Sequence, residues 1–397
     1  MDAKFGMQLH KLGKPVFRLI REHAELLAIA AEWRKLLEQS SSHEAMLDPS
    51  WLLAWWRHYG AGSEIAVGLI YVDDELVGLA PMCIRRFAYR LGIAFKRLQF
   101  MGRDANENDG VFSEYLSFIA RRGCEGVVAG EFVNRIVAGD FGVWDEVVLA
   151  AMKRDTAIVQ RLIVEFEHHG ELNYKLQHDM WSYHVTLPKS WDAYLESLPS
   201  RKRYYVKSSL AKFFEWASEN GTGWQLRHVT DDRSFEEGLS ILIALHETRW
   251  RSGGYNGAFS SDRFAAFHRD FAATAISEGK AGIAWLMVGD TAVAAIYTLR
   301  NGKKVAAYQY GRVVGLPARL RVGIVVNAMA MQEAISRGDD EFDFLAGESR
   351  YKTDLANGKH ELVVLRLARP TEKEALRNGL VNARINFVAA LKLLGVD

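Results

Sequence analysis

The residues best suited to chemistry stand together near the end of the chain. Asp343, Gly347, Glu348, Tyr351 and Lys352 interrupt or follow the apolar run Phe342, Phe344, Leu345. That run reads as a short buried strand, and Gly347 permits a turn that lets a ligand approach the main chain. An acid, a phenol and a cation just beyond the end of a strand occupy the edge where open α/β sheets place their ligands. A strand leaving the core through an ordinary polar turn is the other reading of the same residues.

The elements that must position this edge recur along the chain. Ile65 to Ile84 reads as strand, Asp73-Asp74 turn, strand, and Ile283 to Arg300 reads as strand, Gly289-Asp290 turn, strand. Two helical patterns precede each hairpin, Leu26 to Leu37 with Pro49 to Tyr59, and Phe235 to Arg251 with Ser261 to Ser277. A short strand precedes each set, Val16 to Ile20 and Trp224 to Val229. A tandem duplication of one α/β unit is the simplest organisation. The second unit continues with a strand Lys304 to Tyr310, a turn at Gly315-Leu316-Pro317, a helix from about Gly323 to Ser336 and the strand Glu341 to Leu345. A strand Glu361 to Leu367 and a helix Thr371 to Leu394 close it. The first unit enters an irregular polar stretch, Arg103 to Gly110, and has no counterpart to the 343–352 cluster, so it reads as a scaffold or substrate-recognition half.

Length and composition agree with this reading. A chain of 397 residues exceeds one ordinary core and leads us to expect two domains. With 49% hydrophobic and 25% charged residues the composition is that of a globular protein, not a disordered or fibrous one. The balance of 50 basic against 49 acidic residues argues against a dedicated nucleic-acid binder. Cys83 and Cys124 lie far apart, which points to neither a disulfide framework nor a thiolate zinc site and suits a reducing cytoplasm. The start, Met1 to Lys14, lacks an apolar segment, and no stretch reaches the roughly 18 apolar residues of a membrane span. Trp51, Trp55, Trp56 and Tyr59 follow an Asp48-Pro49 helix start at helical spacing and are expected in the core or at a domain interface.

Local charge must therefore carry any anion binding. Arg201, Lys202, Arg203, Lys207 and Lys212 lie on a probable helix, Ser200 to Trp216, either as an anion-binding face or as a solvated one. His168-His169 has poor ligand spacing and belongs in a loop; His246 and His268 fall on amphipathic helices and are expected to be packed or solvated rather than catalytic. No nucleophile elbow, Walker loop, His-Glu-x-x-His pair or dinucleotide glycine motif occurs, and no metal site is expected.

The strand order, with Glu341-Phe342-Asp343-Phe344-Leu345-x-Gly-x-x-x-Tyr-Lys, resembles the GNAT acyltransferase superfamily, in the branch of CelD-like proteins of polysaccharide synthesis and the related FemAB-type aminoacyl ligases. The resemblance is strongest from Ser200 to Ala368. It implies an α/β fold of tandem GNAT-like units, each a mixed, mostly antiparallel twisted sheet flanked by helices. The units are a degenerate one at 1–185 and an acyltransferase one at 186–397.

In such folds the strands here spanning Lys304 to Tyr310 and Glu341 to Leu345 splay apart, and bare main-chain groups grip a pantetheine arm as another strand would. A backbone N–H then stabilises the oxyanion formed when an amine attacks the thioester carbonyl. The resemblance makes Tyr351 a general acid for the departing thiolate, gives Lys352 the developing charge or a substrate phosphate, and makes Glu348 the base. It assigns Tyr308, Gln309, Tyr310, Arg319, Arg321, Val322, Gly323 and Ile324 to the acyl-CoA, and Arg201, Arg203, Lys207, Asp343 and Gly347 to the acceptor. GNAT enzymes place Gln/Arg-x-x-Gly-x-Gly/Ala before the helix so that consecutive N–H groups bind the diphosphate. Here Arg319-Leu320-Arg321-Val322-Gly323-Ile324 has one glycine and a bulky last residue, which suits FemAB-type relatives fed by aminoacyl-tRNA somewhat better.

The leading expectation is a cytoplasmic N-acyltransferase using acetyl-CoA or another acyl-CoA, without metal or covalent intermediate, on an amine of a small sugar- or nucleotide-linked acceptor in polysaccharide or cell-envelope metabolism. A tRNA-dependent ligase and a non-catalytic partner in exopolysaccharide assembly are the alternatives.

Overall fold

The computed structural model describes residues 13–89, 92–103, 110–170, 172–220 and 223–393, with side chains to residue 383. Most of the Arg103 to Gly110 stretch and of the Met1 to Lys14 segment therefore lies outside the described residues. The first half carries β1 (Val16–Ile20), β2 (Ser63–Ile65), β3 (Val67–Val72), β4 (Glu75–Ala80), β5 (Met82–Ala88), β6 (Ala94–Phe100), β7 (Ile119–Ala120), β8 (Glu146–Lys153) and β9 (Asn173–Thr186). The second carries β10 (Trp224–His228), β11 (Ala281–Val288), β12 (Thr291–Asn301), β13 (Lys304–Arg312), β14 (Glu341–Ala346) and β15 (Gly358–Ala368). The helices expected on both sides of the two hairpins form, including Pro49–Tyr59, Ser200–Glu219, Asp232–Ser252, Asp262–Ser277 and Val322–Arg337. Their starts follow local chemistry: Asp48 accepts the Ser50 N–H ahead of Pro49, and Asp231 with Ser234 forms a reciprocal capping box.

Eleven strands make one mixed, mostly antiparallel sheet in the order β10-β11-β12-β13-β14-β9-β15-β8-β6-β5-β2, and β1-β3-β4-β7 form a smaller sheet. Each half contains one short parallel pair, β6 with β8 and β13 with β14, three residue pairs long in both cases. Each half then sends its last strand across to the other: β9 pairs with β14, β15 pairs with β8, and β9 and β15 pair antiparallel between them. This reciprocal exchange joins strands of both halves in the eleven-stranded sheet.

The tryptophan stripe joins the halves on one face. Trp51 and Trp55 are fully buried, and Trp51 meets Phe267, Phe271 and Tyr308 edge-on with ring centroids 4.9–5.4 Å apart. Its indole N–H donates to Ser113 Oγ at 2.9 Å. Such contacts add directional aromatic attraction to the area buried.

Candidate functional site

Pairing between β13 and β14 stops after three residues, Lys304, Val305 and Ala306 opposite Glu341, Phe342 and Asp343. Beyond that point β13 runs on to Arg312 beside β12 alone. In an antiparallel pair only alternate main-chain groups face a given neighbour, so those of β13 on the other side point into the opening. The register with β12 jumps at Tyr308, since Tyr297 lies opposite Gln309 and Thr298 opposite Ala307. A bulge at this place increases the local twist and re-aims the strand as it leaves its partner.

The far side of the opening departs from the expectation of bare main chain. At the end of β14 side chains hold every main-chain group named here: Leu345 N–H donates to Asp343 Oδ1 at 2.6 Å and Ala346 N–H to Glu114 Oε2 at 2.6 Å. Lys352 Nζ donates to the carbonyls of Leu345 and Ala346 at 3.1 and 2.6 Å. Leu345 sits at φ 62°, a left-handed conformation that costs a non-glycine residue about 1–2 kcal/mol and needs such over-determination to persist. The main chain free to hold a ligand is therefore that of β13.

A buried polar cluster forms around that strand end, and the first half contributes to it. Tyr115, itself at φ 59°, donates its hydroxyl to Asp343 at 2.7 Å, and Lys153 lies 4.2 Å from the Tyr115 ring centroid. Lys153 and Lys304 share Glu44 at 2.8 and 2.9 Å, and their charges hold the Glu44 carboxyl down at about 2 against the cost of burial. Burial pushes Asp343 up to about 6 and Glu114 up to about 7. Burial also lowers the Lys352 ammonium, with Glu114 and Asp343 opposing the shift. Glu114 and Lys352 thus meet at Ala346, one on its N–H and the other on its carbonyl.

Along the opening lies a cavity of about 420 Å³, large enough for a good part of a cofactor arm. Tyr310, Gly311 and Arg312 of β13 form one side, Tyr351 sits at one end, and the start of the Val322–Arg337 helix forms the other side. Ile324 and Val325 already donate their N–H groups to Arg321 O at 2.7 and 3.3 Å, and the helix start carries the positive end of the helix dipole. Arg249, Arg312 and Arg321 add three cations to the lining. Asn327 contributes a buried Oδ1 without a partner, its Nδ2 being engaged by Gly323 O at 2.8 Å. Arg321 is left-handed at φ 46°, and its guanidinium lies 3.9 Å from the Tyr205 ring centroid on the basic helix. A Cβ on Gly323 would meet no atom within 4 Å, so the helix start is open at that residue.

The residues singled out from sequence divide accordingly. Asp343, Tyr351 and Lys352 come together at the end of β14, and Tyr310, Arg321, Val322, Gly323 and Ile324 line the cavity. Burial raises the Tyr351 phenol, whose ring centroid is 6.0 Å from that of Tyr310. Gly347 takes φ 93° at the turn, and its N–H goes to Trp181 O at 3.1 Å. Glu348 is exposed. Tyr308 points into the core between the halves against Trp51 and His268, Gln309 lies beside His246, and Arg319 is exposed outside the cavity lining. Arg201 and Lys207 are exposed, whereas Arg203 Nη2 caps the carbonyls of Glu196 and Leu198. His246 and His268 pack, the latter fully buried among aromatic rings. Glu114, Tyr115, Lys153 and Glu44 escaped sequence reasoning because they are brought to the cluster from the other half.

A strand pair opened beside a helix start is decisive alongside one sequence match: residues 200–353 match the family described as Acetyltransferase (GNAT) domain. Residues 200–353 carry a GNAT domain. FemX matches with a TM-score of 0.55 at 10% identity, covering 84% of this chain and 95% of that one. L-PGS from Bacillus licheniformis matches at TM-score 0.48 and 13% identity, covering 90% and 96%. A tandem GNAT protein from the clavulanic acid biosynthesis pathway follows at 0.46 and 9%, covering 90% and 100%. At these identities the FemX likeness speaks for the fold alone. No curated protein matches this chain in sequence. The matched span contains β13, β14 and the helix start between them. Among the described residues no helix is long and apolar enough to cross a membrane.

Proposed function

We propose that this GNAT protein transfers an acyl group from an acyl-CoA to an amine, with the thioester lying in the opening between β13 and β14. The observation that carries the reading is the break in β13–β14 pairing after Ala306 and Asp343, with the 420 Å³ cavity continuing to a helix start lined by three arginines. A diphosphate suits that end, because the positive end of a helix dipole and guanidinium forks both favour phosphate oxygens.

In this reading the pantetheine amides pair with main-chain groups of β13, and an N–H there faces the oxyanion that forms as the amine adds to the thioester carbonyl. Glu114, raised to about 7, takes a proton from the amine nitrogen as its lone pair adds to the carbonyl, in place of the solvent-facing Glu348. Tyr351, protonated throughout the neutral range, donates to the departing thiolate, and Lys352 fixes the end of β14 through two carbonyls. The acceptor is an amine of a sugar- or nucleotide-linked compound in polysaccharide or cell-envelope metabolism, and the enzyme works in the cytoplasm. The 1–185 and 186–397 units belong to the same proposal, the first supplying Glu114 and Tyr115 to the second.

The test is release of free thiol from acetyl-CoA by the purified protein across a panel of amino sugars and amino-nucleotides. Turnover that disappears in Lys352→Ala supports the reading, and no turnover with acetyl-CoA or longer acyl-CoA esters sinks it. One observation favours a tRNA-dependent ligase instead: Arg201, Lys207 and Lys212 stand exposed along one helix while Arg321 leans on Tyr205 of that helix. Salt-dependent tRNA binding, weakened by substituting those residues, would favour it.

A further inference from the structure

Three side chains that no sequence spacing connects converge on one face of the central strands. His184 of β9 lies opposite Asp343 of β14 and opposite Gly358 of β15. Glu341 and His360 stand two residues from those partners, so all three project from the same face as diagonal neighbours across β14, β9 and β15. Gly358 is what admits the His184 ring, since a Cβ there would lie 2.4 Å from His184 Nε2.

Each of the three residues has a buried polar atom without a partner. His184 Nδ1, Glu341 Oε1 and His360 Nε2 are all buried with no hydrogen bond, and His184 as a whole is only 8% exposed. One ligand atom from each residue lies within 4.8 Å of the others. Each of these buried polar atoms left unpaired carries the uncompensated cost of its desolvation. The other nitrogen of His360, Nδ1, lies 3.0 Å from Asp155 Oδ2. A proton held there toward the carboxylate leaves Nε2 with its lone pair available, the outer-sphere arrangement that orients a metal-binding imidazole.

We propose that His184, Glu341 and His360 bind one divalent transition-metal ion of the Zn²⁺ class, with Asp155 as the orienting outer carboxylate and water in a fourth position. Two neutral imidazoles and one carboxylate form a three-ligand set suited to tetrahedral zinc with an open site. The imidazoles stack at 4.2 Å with 15° between their planes, so binding turns the rings toward a common point and draws the ligand atoms to about 3.3 Å, the edge of a tetrahedron at zinc–nitrogen distances. Because β9 comes from the first half and β14 and β15 from the second, the ion ties the exchanged strands of both halves together. It lies on the face that also carries Asp343.

The test uses the full chain, stripped with a chelator and titrated with Zn²⁺ by calorimetry and with Co²⁺ by visible absorption. One equivalent should bind, raise the Tm of the wild type and give the intense spectrum of a tetrahedral Co²⁺ site. His184→Ala and Glu341→Gln should each weaken binding at least tenfold, and Asp155→Asn, on the surface, by about 10- to 100-fold. His360→Gln, partly exposed, serves as the second ligand variant should His184→Ala fail to fold, and melting in chelator identifies that failure. The proposal is overturned by a wild type that binds no equivalent of either ion, or by binding that persists unchanged in Glu341→Gln and His360→Gln. Loss of metal binding with acyl transfer intact, or the reverse, separates this site from the acyltransferase reading.

Discussion

Replacing Glu114 by Gln tests the site at the residue where both halves meet. The amide keeps an oxygen to accept the Ala346 N–H, so the substitution removes charge with little change of shape. In the wild type, burial raises the carboxyl from an ordinary 4.5 to about 7, with the Ala346 N–H and Lys352 opposing. At about 1.36 kcal/mol per pH unit, that rise corresponds to roughly 3 kcal/mol as an upper figure. Below pH 4.5 both folded and unfolded chains carry the proton and the group contributes nothing. Between 4.5 and 7 the unfolded chain releases it first, so stability falls as pH rises, and above 7 the folded protein bears the whole cost. Glu114→Gln should therefore melt at a higher temperature than wild type at pH 8 and match it near pH 4.5, measured by calorimetry at both pH values. In the thiol-release assay the same variant should lose about 10²- to 10⁴-fold in kcat/KM, roughly 3–5.5 kcal/mol at the barrier, together with the limb of the pH profile that rises toward 7. A variant within about threefold of wild type with that limb intact refutes Glu114 as the base. Equal melting at pH 8 refutes the buried charge.

Lys352→Ala leaves the Leu345 and Ala346 carbonyls without their donor and should cut acyl transfer at least ~10-fold, about 1.4 kcal/mol, as seen in single-turnover rates. Gly323→Val projects a side chain into open space at the helix start, and we expect a raised KM for the acyl donor with an unchanged Tm. Trp51→Ala should cost about 3–5 kcal/mol in urea denaturation, because it opens a cavity between Phe267, Phe271 and Tyr308. Glu44→Gln leaves Lys153 and Lys304 without their shared carboxylate and should destabilise by about 3–5 kcal/mol at pH 7. That difference should shrink as pH falls from 4.5 toward 2, where the wild-type Glu44 also takes up a proton.

Local signals were enough for the elements around the two hairpins, though not for those between Gly110 and Ser200. Asp48-Pro49 starts a helix at that very place, the Asp73-Asp74 and Gly289-Asp290 turns close hairpins, and Gly338 ends the helix before β14. The 343–352 cluster was legible because its members are neighbours in the chain. Glu348 shows the limit of that reasoning: its position in sequence is as good as that of Lys352, yet it faces solvent while Glu114 reaches Ala346 from more than two hundred residues away. Lys153 and Glu44 were invisible for the same reason, since a lone charged residue in a strand or turn carries no mark of what will face it.

The sequence by itself determined the repeat, the hairpins and helices, and the chemistry available at the end of β14, because periodicity, caps and turn residues act over a few positions. Tertiary structure alone decided that β9 and β15 cross between the halves, that β13 and β14 part after three pairs, and that Glu114, Tyr115 and the His184–Glu341–His360 group gather on shared faces. Strand order and register are set by burial summed over the whole sheet, and no short stretch of chain contains that sum.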